Sequence, residues 1–255
     1  MPYLRAVVFI LALAGTVLFA APVQWLARQR GWRVQHSIQT KFCRAMCAII
    51  GIRVQAHGRL PAAAPRLVVV NHVSWTDVIA LASLHPFVFL AKSEVALWPV
   101  LGFLAKLQGT VFVERANRRA IPAVNAALAR ALDEGRDLVL FAEGTSSDGL
   151  AVLKFNPAHF AALDAANNAE KAILAPVALA YTRPEAANLA EAGRIDAGWY
   201  GDMTFVPHLW SLMKRGGARC HILFGDAIRN DGGGRKALAA ATEAAVRQLL
   251  EAAAK

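Results

Sequence analysis

The sequence predicts an α/β fold, a single domain built on a mixed sheet and preceded by a helical hairpin that associates with a membrane. Three observations carry that expectation. From residue 51 onward, short apolar runs alternate with helix-length periodic segments, as strands and helices do in α/β domains. Several of these runs are continuous in Val and Leu, as in strands buried on both faces of a sheet, and they break off into polar residues. Finally, residues 6–27 carry no charged side chain between Arg5 and Arg28. The expected division is 1–50 for membrane-anchoring helices and 51–255 for the α/β domain.

Composition narrows the partners. The 255 residues are 56% hydrophobic and only 18% charged, against about 25% charged in an ordinary soluble domain. Formal net charge is +10, so anionic surfaces are the natural partners of this apolar chain. Nucleic acid is not expected, because no helix-turn-helix pattern, zinc spacing or aromatic RNA-binding signature is present. A membrane fits better. The cysteines are Cys43, Cys47 and Cys220; their odd number and spacing argue against a disulfide framework and for a reducing, cytoplasmic setting. Cys43 and Cys47 share a helix face as small packing residues.

Taken in order, residues 6–27 form a helix of about 33 Å, close to the ~30 Å hydrocarbon core. Gly15, Pro22 and Gln24 interrupt it, so crossing the bilayer and lying in one leaflet both stay open. The run also resembles a signal peptide, but Leu18 and Phe19 stand where a cleavage site prefers small residues, which favours a retained anchor. Arg28, Arg30, Arg33, Lys41 and Arg44 follow and put the rest of the chain on the cytoplasmic side. Val34, Ile38, Phe42, Ala45, Met46 and Ile49 recur at helical spacing. That amphipathic helix suits either an anionic interface or the domain core. Ile52, Val54 and Ala56 alternate as an edge-type strand, and 67–70, 87–90 and 110–113 are further strands. Residues 118–134 are helical and stop at Gly135. Strands at 137–142, 173–180 and 221–224 complete the sheet. A turn at 231–234 precedes an Ala-rich closing helix over 235–254.

Three strand ends carry chemistry. Residues 67–77, LVVVNHVSWTD, deliver His72 to the carboxyl edge of the sheet, where open α/β folds place their sites. Asp77 sits in the first helical turn beyond, able to turn its carboxylate to the imidazole, the basic unit of general-base catalysis. The same residues also read as a plain helix start, with Ser74 as N-cap and Asp77 at the third position. Residues 109–115 form a strand ending in Arg115, whose planar fork suits a phosphate or carboxylate, or a surface pair with Glu114. Residues 141–149 end in Glu143-Gly144-Thr145. A glycine there lets backbone approach an anionic ligand, or makes only a polar turn.

Together these blocks resemble the glycerolipid acyltransferases, the family of 1-acylglycerol-3-phosphate acyltransferases. His72 to Asp77 matches the family's H-x4-D, 109–115 its second block, Glu143-Gly144-Thr145 its E-G-T block, and Ala175-Pro176-Val177 its proline-bearing fourth block. The resemblance implies transfer of a fatty acyl group from an acyl carrier protein or coenzyme A thioester to a lysolipid hydroxyl. It also implies a place among membrane lipids at the cytoplasmic face of the bacterial inner membrane, with neither a metal nor an organic cofactor. His72 is then the base and Asp77 fixes its tautomer. Arg115 grips the acceptor head group, and Glu143, Gly144 and Thr145 shape its pocket. The first acceptor expected is 1-acyl-glycerol-3-phosphate, giving phosphatidate for phospholipid biosynthesis.

Two departures bear on that acceptor. Ser146 stands where lysophosphatidate-acylating members often have a basic residue, and Phe155-Asn156-Pro157-Ala158 replaces a Phe-Lys-x-Gly run. The run EGTSSDG, with 199–203 and 207–210, is similar to the bacterial branch that acylates lyso-ornithine lipid, whose zwitterionic head group needs less cationic gripping. Both acceptors stay open. Tyr200, Asp202 and His208 read as a turn and an amphipathic helix rather than acceptor contacts. A catalytically inactive lipid-binding protein is the alternative of another class, and the intact His72/Asp77 and E-G-T blocks speak against it. No G-x-S-x-G elbow supports a serine acyl-enzyme.

Overall fold

The computed structural model describes residues 2–62, 65–114, 117–167, 172–185, 189 and 197–254. Seven strands follow one another across the sheet in the order β1 (Ile52–His57), β7 (Ala218–Phe224), β6 (Ile173–Thr182), β2 (Arg66–Val70), β5 (Leu138–Phe141), β3 (Val88–Lys92) and β4 (Val111–Val113). A short β8 (Ile228–Arg229) pairs with the start of β6. β2 lies between β6 and β5 and runs parallel to both, with Val68 opposite Ala175 and Val139. β7 is antiparallel to β6 while β1 is parallel to β7, so the sheet is mixed, as expected.

The unbroken Val and Leu of β2 follow from burial on both faces. Leu67 and Val69 enter one core, Val68 and Val70 the other, all fully buried. The first core is closed by α6 (Ile121–Asp133), the short α7 (Ala161–Ala165) and α9 (Gly234–Ala253). The second is closed by α3 (Val34–Ile50), α4 (Thr76–Leu84) and α8 (Phe205–Lys214). β6 runs to Thr182, two residues beyond expectation. An unforeseen α5 (Leu101–Gln108) precedes β4.

For residues 34–49, the core reading is the one observed. Cys43, Met46, Cys47 and Ile50 are buried against the sheet, Gln39 donates to the Phe87 carbonyl (2.8 Å), and Arg44 to that of Ser83 (2.7 Å). Burial pushes the Cys43 thiol up, and that of Cys47 up to about 12, so both pack as inert thiols. α3 ends at Gly51 with φ +95°, its N–H bonded to the Cys47 carbonyl (2.9 Å). A Cβ there would lie 2.6 Å from the Gly216 carbonyl oxygen, so glycine is required twice over.

Ahead of α3, α1 (Pro2–Gly15) and α2 (Ala21–Gln29) join through a π-helical turn at Thr16–Ala20 into one helix, long and apolar enough to cross a membrane. It lies against the domain at both ends. Tyr3 tilts onto Trp210 with ring centroids 5.2 Å apart, and Arg28 donates to the carbonyls of Lys106 (2.7 Å) and Leu107 (3.1 Å). Phe9, Ala21 and Ala27 are buried beneath it, while Leu4, Leu11, Leu18 and Phe19 face outward and are exposed.

Candidate active site

β2 stops at Val70, and the next side chain continues its pairing. Asn71 donates to the Leu179 carbonyl (3.0 Å) and accepts from the Leu179 N–H (2.7 Å), pinning the backbone one residue before His72. His72 then emerges at the carboxyl edge, its ring stacked on Phe141 at 4.0 Å between centroids. Its Nδ1 lies 2.8 Å from Asp77 Oδ2.

Asp77 is wholly buried and surrounded by donors. Oδ2 also accepts the N–H groups of Val73 (2.8 Å) and Ser74 (2.9 Å), and Oδ1 accepts the Tyr181 hydroxyl (2.7 Å). The helix-start reading and the imidazole-holding reading are therefore not rivals: one carboxylate ties down the loop before α4 and faces His72. Trp75, not Ser74, occupies the N-cap position and makes no side-chain cap. A buried carboxylate is tolerable when its lone pairs are filled in this way. With Nδ1 on Asp77, the nitrogen left to a ligand is Nε2.

That ring borders a cavity of about 450 Å³, which His72, Thr145 and Ser146 line at one end. Much of the rest of its wall is apolar and aromatic, including Phe9 of α1, Met46 of α3, Trp75, Trp98 and Phe205, with Lys92, Glu94, Gln108, Thr110 and Tyr200 as polar members. Trp75 is anchored through its indole N–H to His208 Nδ1 (3.0 Å), so His208 buttresses the wall.

Of the residues singled out from sequence, His72, Asp77, Glu143, Gly144 and Thr145 meet at neighbouring strand ends; Arg115 lies outside the described residues. Glu143 faces inward rather than into the cavity. Its Oε2 accepts the His72 N–H (2.9 Å) and Oε1 the Leu153 N–H (2.8 Å). Burial outweighs these two bonds and pushes the carboxyl up to about 7. Gly144, at φ +71°, turns the chain so that Thr145 reaches the cavity lining. Ser147 then returns its N–H to the His72 carbonyl (3.0 Å). Ser146 does not project a free polar group: its hydroxyl donates to the Trp199 carbonyl, and the Trp199 N–H donates to the Val73 carbonyl (2.9 Å).

Sequence reasoning missed Tyr181. Burial pushes its phenol well above the ordinary range, so it stays a donor to Asp77, and it shares a hydrogen bond with the Thr76 hydroxyl (2.8 Å). The available signal was a lone phenol following the apolar run of β6, on the same face as Val177 and Leu179. The aromatic wall was missed as well. Among the described residues, no three His, Cys, Asp or Glu side chains gather as metal ligands would.

A His–Asp pair at the carboxyl edge of a mixed sheet thus opens on a largely apolar cavity. The model of the acyltransferase family matches residues 51–180, and the chain belongs to that family. It is similar to a lyso-ornithine lipid O-acyltransferase of Brucella abortus, 37% identical over 98% of this chain and 95% of that one. The corresponding enzyme of Rhodobacter capsulatus is 40% identical over 80% and 72%. A 1-acyl-sn-glycerol-3-phosphate acyltransferase of Neisseria gonorrhoeae is 43% identical over 39% of each chain. The crystal structure of the 1-acyl-sn-glycerophosphate acyltransferase from Thermotoga maritima superposes with a TM-score of 0.62 at 18% identity, covering 99% of this chain and 97% of that one. That likeness shows the fold.

Proposed function

We propose that this acyltransferase moves a fatty acyl group from an acyl carrier protein or coenzyme A thioester onto the hydroxyl of a lyso-ornithine lipid, with His72 as general base. The observation that carries the chemistry is the His72–Asp77 contact of 2.8 Å at the mouth of an apolar cavity. Nε2 takes the hydroxyl proton as the acceptor oxygen attacks the thioester carbonyl. The C–O bond forms, the C–S bond breaks, and the departing sulfur takes the proton back from the imidazolium. Asp77 holds the tautomer and stabilises the imidazolium while it lasts. The apolar wall suits an acyl chain, and the reaction so written uses neither metal nor organic cofactor.

Two observations favour lyso-ornithine lipid. Relatives of that name match over 80–98% of the chain, and Ser146, where a cation would serve a phosphomonoester, is tied to backbone. Lysophosphatidate is the second reading, favoured by the Neisseria relative and by Arg115 at its block's end. On either reading Arg115 grips the head group, Thr145 borders its pocket, and Glu143 and Gly144 shape it from behind.

The site is served from within a membrane, with residues 1–50 as the anchoring part and 51–255 as the acyltransferase domain. The joined α1–α2 helix lies along the domain, so it suits immersion in the plane of one leaflet rather than a crossing. The exposed Leu97, Val100, Phe103 and Val206 stand beside the cavity-lining Trp98, Leu101 and Phe205 and extend the same apolar surface. The basic residues after α2 favour the cytoplasmic face of the inner membrane.

The test offers purified protein both thioesters with each lysolipid, and reads products by mass spectrometry. Diacylated ornithine lipid is expected. Phosphatidate alone would transfer the proposal to lysophosphatidate, and no product with either acceptor would refute it.

A further inference from the structure

At the edge of the sheet opposite His72, two guanidinium groups converge on Gly109, just before β4. A Cβ at Gly109 would lie 2.9 Å from Arg28 Nη2 and 3.1 Å from Arg136 Nη1, and the backbone there has φ +80°. Only glycine leaves room for both. Arg28 is held by its two bonds to the end of α5, and Arg136 by an ion pair with Glu134 (2.9 Å). Glu134 is 60% exposed, so it screens this pair of like charges poorly, and the buried Nε of Arg136 has no partner. Burial first, and then neighbouring cations including Arg136 and Arg33, push the His36 imidazole below its ordinary range. The acid next in sequence, Asp137, is taken by Arg66 and His85. Two like charges are thus held together at a position where each stays open to solvent on one side.

We propose that Arg28 and Arg136 form a docking site for the phosphate of an anionic membrane lipid, separate from the acceptor pocket. Arg28 Nη2 and Arg136 Nη1, the terminal nitrogens outside those contacts, meet beside Gly109, and a phosphate accepting from both would relieve the repulsion of the pair. The occupant follows from position. Arg28 ends the apolar helix, and Trp25, Leu26, Trp32 and Val34 around it are exposed, so the pair sits at head-group depth. The site would fix the rotation of the domain on the membrane and so the height of the cavity mouth. This inference rests on the in-plane reading of α1–α2.

The experiment measures partition of the full-length protein onto vesicles of phosphatidylcholine alone and of phosphatidylcholine mixed with phosphatidylglycerol. Arg136→Lys keeps the charge but loses the fork, and it spares the contacts Arg28 makes to α5. Its partition onto mixed vesicles is expected to fall about five-fold through loss of the guanidinium hydrogen bonds alone, the charge being kept. Arg30→Lys, an exposed neighbour, is expected to leave partition unchanged, and a melting curve checks that each variant is folded. Equal partition of Arg136→Lys and wild type would mean diffuse attraction and overturn the site. Equal losses in both variants would overturn it too. A wild type that binds both vesicle types without preference overturns the site alone, whereas one that binds neither overturns the in-plane reading along with it.

Discussion

Asp77 and Glu143 are both buried carboxylates beside His72, each following one of two paired parallel strands, and the protein holds them differently. Asp77 receives four donors: an imidazole nitrogen, two backbone amides and a phenol. Glu143 receives two backbone amides and is pushed up to about 7 by burial. A carboxylate in a low-dielectric site keeps its charge in proportion to the donors that replace water. Asp77 is therefore equipped to answer a transient imidazolium. Glu143 is equipped to hold two loops together, and in the proposed mechanism it acts only through the His72 backbone. Proximity to the proposed base therefore does not define a role; the donors do.

Breaking the proposed base has the largest expected effect. His72→Ala should lower transfer by about 10³-fold or more, with a destabilisation of only about 1–2 kcal/mol because Asp77 keeps three of its four donors. Retention of a tenth of the activity would refute the assignment. Asp77→Asn comes next, with a loss of about 10²-fold to 10³-fold in kcat. It also places an amide against donor groups, so melting should show destabilisation of about 1–3 kcal/mol.

The other side of the comparison is sharpened by Glu143→Gln. Transfer should fall only about ten-fold, through displacement of His72. The stability readout is specific. A folded pKa of about 7 lies above the ordinary 4.5, so ionisation destabilises the fold progressively as pH rises from 4.5 through about 7. Wild type should lose stability across that interval on account of this group, and Glu143→Gln should lack that component; identical pH profiles of melting would refute it. Tyr181→Phe is the mildest change. Asp77 loses one of four donors, so kcat should drop about five-fold, and stability by about 1 kcal/mol. An unchanged kcat would reduce Tyr181 to a packing residue.

Much of the architecture was legible in the chain. The continuous runs in β2, β5 and β6 announced strands buried on both faces, and the abrupt ends at Asn71 and Glu143 announced the site edge. His72 and Asp77 were legible because five residues separate them, a distance spanned by local geometry alone. The inward turn of Glu143 was not, since it depends on the Leu153 amide and on the His72 backbone lying one strand away. Tyr181 and His208 were illegible for the same reason: their partners Asp77 and Trp75 are over a hundred residues distant in sequence. For α3, periodicity showed an amphipathic helix, but a membrane surface and a protein core demand the same apolar stripe.

By itself, then, the sequence determined where most strands and helices lie, though not α5, α7 or β8, which strand ends are polar, and that an apolar helix flanked by arginines lies ahead of the α/β domain. Periodicity, charge placement and glycine position are local properties, and short-range sterics and burial translate them directly. The tertiary structure decided which face of α3 meets the sheet, that α1–α2 lies along the domain, and which donors Asp77 and Glu143 receive. Those outcomes depend on strand register and on side chains brought together across long stretches of chain.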